Sequence, residues 1–223
     1  MNIDFTQTHI LCLTCETEDG KKRTHMKQMI NNIEFVEPII GIAKNKSGAT
    51  GFMRMVERGL RSQVSGEPFK PFLMLEDDVS LNRSLDSIAI PQDADVLYVG
   101  LSNCSMDDHQ FHYANYYESV PDYPDIIRVK HMLATHGIMI CSPLGASVFQ
   151  RTMLEVFISD KPWDIPLALM QPYYQVYALR DPLVYQDVNY GGDERCTQIK
   201  LEGPDNRLPD NWVSRDVITI RML

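Results

Sequence analysis

Long apolar runs are missing from this chain. None approaches the roughly 20 residues needed to span a bilayer, so no membrane insertion is expected. The N-terminal "MNIDFTQTHILCLTC" also lacks the basic segment and long apolar stretch of a signal peptide. Positive charge is in the minority, with 21 Lys and Arg against 30 Asp and Glu and a formal net charge of -9. No basic stripe runs along the sequence, which argues against nucleic acid as a partner. A nucleotide can still bind where a metal ion neutralises its phosphates. Cysteine is scarce and odd in number, at 12, 15, 104, 141 and 196. That count predicts free thiols in a reducing compartment, hence a soluble, cytoplasmic protein. Cys12 and Cys15 have the C-x-x-C spacing of redox and zinc motifs. On a strand, however, a separation of three turns the two side chains to opposite faces, and no second C-x-x-C completes a zinc site. Internal repeats and low-complexity tracts are absent too.

What is present is a globular composition, 44% hydrophobic and 23% charged, at a length that suits one domain. "HILCLTCET" (9–17) reads as a strand and "EDGKKRTHMKQMINNI" as a helix. "FVEPIIGIAKN" (35–45) reads as a short strand. "SGATGFMRMVERGLRSQVSG" (47–66) reads as a helix, because Phe52, Met53, Val56 and Leu60 recur at helical spacing. "PFLMLEDDVSL" and "ADVLYVGLS" (94–102) read as strands covered on both faces. Strand and helix alternate, which predicts an α/β fold: a single domain with a central, mostly parallel sheet flanked by helices. Further on, 106–125 reads as a long loop and 126–142 as two strands. "PLGASVFQRTMLEVF" (143–157) is a helix opened by proline. A helix, a strand and a final element follow, then a Gly/Pro/Asp-rich tail that wraps over the surface.

The sharpest feature is "FLMLEDDV", three carboxylates directly behind a buried strand. In open α/β sheets, ligands bind beyond the carboxyl ends of the strands. Alternation sends Glu76 and Asp78 to one side and Asp77 to the other. Without a cation such acids raise one another's pKa. The D-x-D-like spacing suits Mn²⁺ or Mg²⁺, which take one or two protein carboxylates and fill their remaining positions with phosphate and water. The plain alternative is a solvated strand end whose acids cap a turn. The apolar "FLML" before them favours the cation.

"FLMLEDDVSL" resembles the strand-plus-acid motif of glycosyltransferase family 25, which includes bacterial lipopolysaccharide and collagen galactosyltransferases. More widely it resembles the D-x-D site of nucleotide-sugar enzymes with the GT-A fold. "ILCLTCETEDGKKRTHMKQM", "ATHGIMICSPLGASVFQ" (134–150), "WDIPLAL" and "VYALRDPLVYQD" are similar to further segments of that family. The likeness covers roughly residues 9–187 in scattered motifs, and small glycosyltransferase domains of large algal DNA viruses look similar. Where the family carries a Ser-His pair at the helix before the acidic strand, this chain has Thr50-Gly51. The resemblance implies a GT-A-like, Rossmann-like domain over 1–223, with a donor-binding half at about 1–105 and an acceptor-side half at about 106–223. It implies a UDP-sugar donor, a glycan or glycoprotein acceptor and a divalent cation held by Asp78 with Glu76. Glu76 and Asp77 would also contact ribose, sugar hydroxyls or metal-bound water.

Each other candidate has a plainer alternative. Thr14 follows the first strand, where such enzymes seat the base; otherwise it is an ordinary turn. Arg23 is a bidentate diphosphate donor or a solvated helix charge. Ser47 and Gly48 open a helix whose amides favour anions, or Ser47 is simply an N-cap. His136 contacts the sugar or is a satisfied structural histidine. Tyr113, Tyr116, Tyr117 and Tyr123 line the acceptor side or pack a lid loop. Asp164, behind Trp163, is the catalytic carboxylate facing the anomeric carbon or a helix cap. Two rival functions remain open: a metal-dependent phosphohydrolase or nucleotidyltransferase, and a non-catalytic carbohydrate-binding module.

Overall fold

The computed structural model describes residues 1–84, 86–107, 110–193 and 195–208. Its centre is an eight-stranded sheet. In chain order the strands are β1 (His9–Leu13), β2 (Ile33–Val36), β3 (Phe72–Glu76), β4 (Val96–Tyr98), β5 (Tyr116–Ser119), β6 (Ile126–His131), β7 (Gly137–Ile140) and β8 (Val176–Leu179). Helices α1 (Lys21–Met29), α2 (Lys44–Arg61), α3 (Pro143–Ser159) and α4 (Asp164–Met170) lie between them. Across the sheet the order is β5-β6-β8-β4-β7-β3-β1-β2.

The sheet is mixed, which corrects the expectation of mostly parallel strands. The pairs β1–β2, β1–β3 and β4–β8 are parallel. The pairs β3–β7, β4–β7, β6–β8 and β5–β6 are antiparallel. An unbroken apolar run reports cover on both faces, not direction. "GIMI" of β7 is buried throughout, and it enters between β3 and β4 from the opposite end.

Alternation divides β3 between two cores. Phe72 and Met74 join Phe52, Met55 and Val56 of α2, Phe149, Met153 and Val156 of α3 and Leu167 of α4. Leu73 and Leu75 join Met26 of α1 with Ile3, Phe5 and Val79 on the other face. A strand buried on both sides therefore carries its terminal acids to the rim of a three-layer domain. Helix α3 begins as expected, with Pro143 in its first turn and the Ser142 hydroxyl accepting from Gly145 N at 2.9 Å.

The segment read as a loop over 106–125 contains a hairpin of Ser105–Asp107 with Gln110–His112, followed by β5; Asp108 and His109 lie outside the described residues. In the tail, Thr197–Gln198 pairs with Leu101–Ser102, and Tyr117 N donates to Asn206 O at 2.7 Å. Residues 209–223 lie outside the described residues. A disulfide joins Cys104 to Cys196, 92 residues apart. This corrects the expectation of five free thiols and removes the ground for a reducing compartment. Cys12, Cys15 and Cys141 are free; Cys12 is buried on β1, and Cys15, two residues past the end of that strand, is exposed. Among the described residues no helix is long and apolar enough to cross a membrane.

Candidate functional site

Strand β3 ends at Glu76, and Asp77 and Asp78 form the turn into a short strand, Val79–Leu81, that pairs antiparallel with Val184–Gln186. Two backbone bonds fix the corner: Glu76 N donates to His136 O at 3.3 Å, and Asp187 N donates to Asp78 O at 2.7 Å. The three acids thus sit at the carboxyl ends of β1 and β3, beside the start of antiparallel β7.

Each carboxylate has different surroundings. Glu76 Oε1 accepts from the Thr135 hydroxyl at 2.6 Å, and Thr135 Oγ1 in turn accepts from Trp163 Nε1 at 3.1 Å. Burial pushes the Glu76 carboxyl up to about 8; the charges of Asp78, Asp164 and Asp77 add to this, and the Thr135 bond opposes it. Asp77 accepts from Thr14 Oγ1 at 2.6 Å and from Lys22 Nζ at 2.8 Å. Thr14 Oγ1 also accepts from Glu16 N at 3.1 Å, and Glu16 Oε2 accepts from Lys22 N at 2.7 Å. The loop after β1 is therefore organised around Asp77. Asp78 differs from both: its Oδ1 is buried without a hydrogen-bond partner. Burial raises the Asp78 carboxyl, with Lys22 pulling it down and Asp77 pushing it up.

Asp164 opens α4 directly after Trp163, and no side-chain cap bond forms at that helix start. Burial raises its carboxyl, opposed by its own and the Ile165 backbone amides. Its charge acts on Glu76, so Glu76, Asp77, Asp78 and Asp164 form one electrostatic cluster. Among the described residues, Lys22 is the cation in direct contact with it. Burial alone would lower the Lys22 pKa, but the bond to Asp77 and the charges of Asp77, Asp78 and Glu16 raise it. The ammonium stays charged.

The structure brings Thr14, Glu76, Asp77, Asp78 and Asp164 together and leaves Arg23, Ser47 and His136 out. Arg23 is buried, bonded to Glu37 Oε1 at 2.5 Å and set over the Phe35 ring. Successive residues on a helix point about 100° apart, so Lys22 faces the acids and Arg23 faces the end of β2. Ser47 and Gly48 do not open α2, which starts three residues earlier at Lys44 behind Ala43; the Ser47 hydroxyl instead donates to Ile39 O at 2.8 Å. Gly48 serves packing: a Cβ there would fall 2.3 Å from the Trp163 ring. The His136 ring is 2% exposed, and burial pulls its pKa down to about 4. It lies over Gly100, where a Cβ would meet Nε2 at 2.2 Å, and that Nε2 has no partner. Both residues lie in the segment just before β7, where Thr135 turns to Glu76 while His136 turns to Gly100. Tyr116 and Tyr117 stand on β5, five strand positions from β3, about 24 Å along the sheet.

Lys22 and Thr135 are the site residues missed from the sequence. The "KKR" run behind β1 holds the signal for Lys22, although the bidentate geometry of arginine favours Arg23 when the sequence alone is read.

Among the described residues no three His, Cys, Asp or Glu side chains form a group that could hold a metal ion. A cation here would take one or two carboxylates from the protein and its other ligands from substrate and water. The orphaned Asp78 Oδ1, beside a Glu76 carboxyl that burial pushes up, fits that mode. No protein-family model matches the chain, and no curated protein matches it significantly.

Proposed function

We propose that this chain is a glycosyltransferase that moves a sugar from a nucleotide diphosphate sugar, UDP-linked, to a hydroxyl of a glycan or glycoprotein. The observation that carries the proposal is Asp78: a buried carboxylate oxygen without a partner, beside two further acids, at the strand ends where α/β sheets bind ligands. The resemblance of "FLMLEDDVSL" to the family 25 and GT-A acid motifs supports the same conclusion, and it alone supplies the GT-A-like fold and the UDP-linked donor.

In this proposal Asp78, with Glu76, holds Mn²⁺ or Mg²⁺. The cation, when bound, supplies Lewis-acid neutralisation of the departing diphosphate. Lys22 places a fixed positive charge at the same rim, and Thr14 with Asp77 offers a hydroxyl and a carboxylate for ribose. Thr135 and Trp163 fix the rotamer of Glu76. Asp164 takes the acceptor proton or steadies charge at the anomeric carbon; burial raises its carboxyl, the direction that suits a proton acceptor. Cation-dependent release of nucleoside diphosphate from a nucleotide sugar, lost in Asp78→Asn, is the test; turnover unaffected by that substitution would reject the assignment.

A further inference from the structure

Helices α2 and α3 lie side by side on one face of the sheet and bury Phe52, Met55, Phe149 and Met153 beneath them. Their outer surface is unlike the rest of the chain. Along α3, Leu144, Arg151, Leu154 and Ile158 follow one another at helical steps on the solvent side, and Ile158 is 73% exposed. Before α2, Ile39, Ile40 and Ile42 are all exposed, Ile40 again by 73%. Gly41 between them has φ 88° and open space around it, so the loop tip projects from the body of the domain. Two contacts join these features into one surface: Asn45 Nδ2 donates to Asp160 O at 2.8 Å, and Lys46 Nζ lies 5.8 Å from the centre of the Phe157 ring.

The charge here reverses the chain's overall sign. Helix α2 carries Lys44, Lys46, Arg54, Arg58 and Arg61 against Glu57 alone. From α3 to Lys161 come Arg151 and Lys161 against Glu155 and Asp160. A third of the 21 basic residues but only a tenth of the 30 acidic ones therefore lie in these two segments, a local excess of cations even with Arg58 paired to Glu34 and Arg61 to Glu57. This stripe was hidden in the sequence because its members are spread over a helix rather than run together.

We propose that this α2–α3 face, with the Ile39–Ile42 loop, docks on the surface of an anionic lipid bilayer. Projecting isoleucines beside a row of cations are the two components of interfacial binding: apolar side chains enter the headgroup boundary while Lys and Arg meet lipid phosphates. A second copy of the chain is a poor occupant, because two-fold pairing would set the same cations against each other. A cleft of about 430 Å³ lined by Ile39, Thr50, Met53, Arg54, Glu57 and Gln150 opens on the same face, with room for a headgroup beside Arg54. Trp163, beside Asp164, packs against the buried Gly48 of α2, so α2 separates the docked face from the side of the acid cluster assigned to the acceptor. That placement rests on the proposed function; the docking does not.

The experiment is co-sedimentation of the full chain with vesicles of phosphatidylcholine, alone or with about a third phosphatidylglycerol, at low and high salt. The expected result is binding to the anionic vesicles at least about tenfold tighter than to neutral ones, lost at about 0.5 M salt. Ile40→Asp with Ile158→Asp should weaken it about tenfold or more, with an unchanged melting temperature because both positions are exposed. Lys44→Gln with Arg54→Gln provides a second pair that leaves every apolar side chain in place and should weaken binding in the same direction. Absence of binding to anionic vesicles, equal binding to neutral ones, or wild-type binding by both pairs overturns the proposal. So does a shift of the free protein from oligomer to monomer in the isoleucine pair, which would assign the face to a second copy. No nucleotide sugar enters the assay, so its failure leaves the proposed enzymatic function standing.

Discussion

The Thr135 hydroxyl spends its one proton on Glu76, at 2.6 Å, and accepts from Trp163. That bond favours the charged carboxylate while burial and three neighbouring acids disfavour it, and the result is a carboxyl pushed up to about 8. Folded protein therefore binds a proton at Glu76 that the unfolded chain releases above about 4.5. Stability contributed here is full below that pH and declines as pH rises toward 8, by less than about 1.4 kcal/mol per pH unit. Glu76→Gln should flatten that decline, so its melting temperature should gain on wild type between pH 5 and pH 8. Thr135→Val should move the upper end of the decline to higher pH. Parallel pH dependence of the melting temperature in wild type and Glu76→Gln would contradict the raised proton affinity.

Asp78→Asn should abolish transfer and cation-dependent donor binding yet leave the fold intact. The raised carboxyl means that the charged form is disfavoured in the folded state, so the apo variant should melt no lower than wild type and somewhat higher at pH 8. Calorimetric titration with Mn²⁺ and donor checks the binding, and a thermal melt checks the fold.

Asp164 separates from a helix cap by kinetics. Asn caps almost as well as Asp, so a capping role predicts little change in Asp164→Asn. A proton acceptor predicts a loss of about two to four orders of magnitude in turnover with donor binding unchanged. The other acids nearby are poor substitutes. Asp187 is held by Ser80 and Asn189, and Asp193 by Arg195.

Cys104 and Cys196 close a loop with a sequence separation of 92, so Cys196→Ser should cost about 3–5 kcal/mol and loosen the tail pairing. Titration of thiols in denaturant should find three before reduction and five after. Five thiols without reductant would remove the bond.

Much of the frame was legible in the sequence because burial leaves a pattern. "FLML" announced a strand covered on both faces, and the helical spacing of Phe52, Val56 and Leu60 announced α2. Strand direction was not legible in "GIMI", since a buried strand looks alike whichever way it runs. The start of α2 was misplaced because Ser47 has the chemistry of a cap whereas Ala43, the residue that stands there, has none. Glu76, Asp77 and Asp78 were legible as a cluster, but their partners were not. Whether Lys22 or Arg23 meets Asp77, and whether Thr135 or His136 meets Glu76, depends on the phase of α1 and of the segment that leads into β7. A one-residue change of phase reverses each answer. The Cys104–Cys196 pair was invisible for a different reason, because an odd count of five conceals one bond and three free thiols.

The most direct measurement is a thermal-shift panel of nucleotide sugars, each with and without Mn²⁺, on wild type and Asp78→Asn. A donor at about a hundred times its Kd stabilises a fold by about 2.7 kcal/mol, or roughly 5–10 °C for a chain of this size. The account predicts that one nucleotide sugar, UDP-linked, gives such a shift in wild type only when Mn²⁺ is present and gives none in Asp78→Asn. The contradicting result is a panel in which no nucleotide sugar moves the melting temperature, or in which the shift is the same without the cation and in the variant.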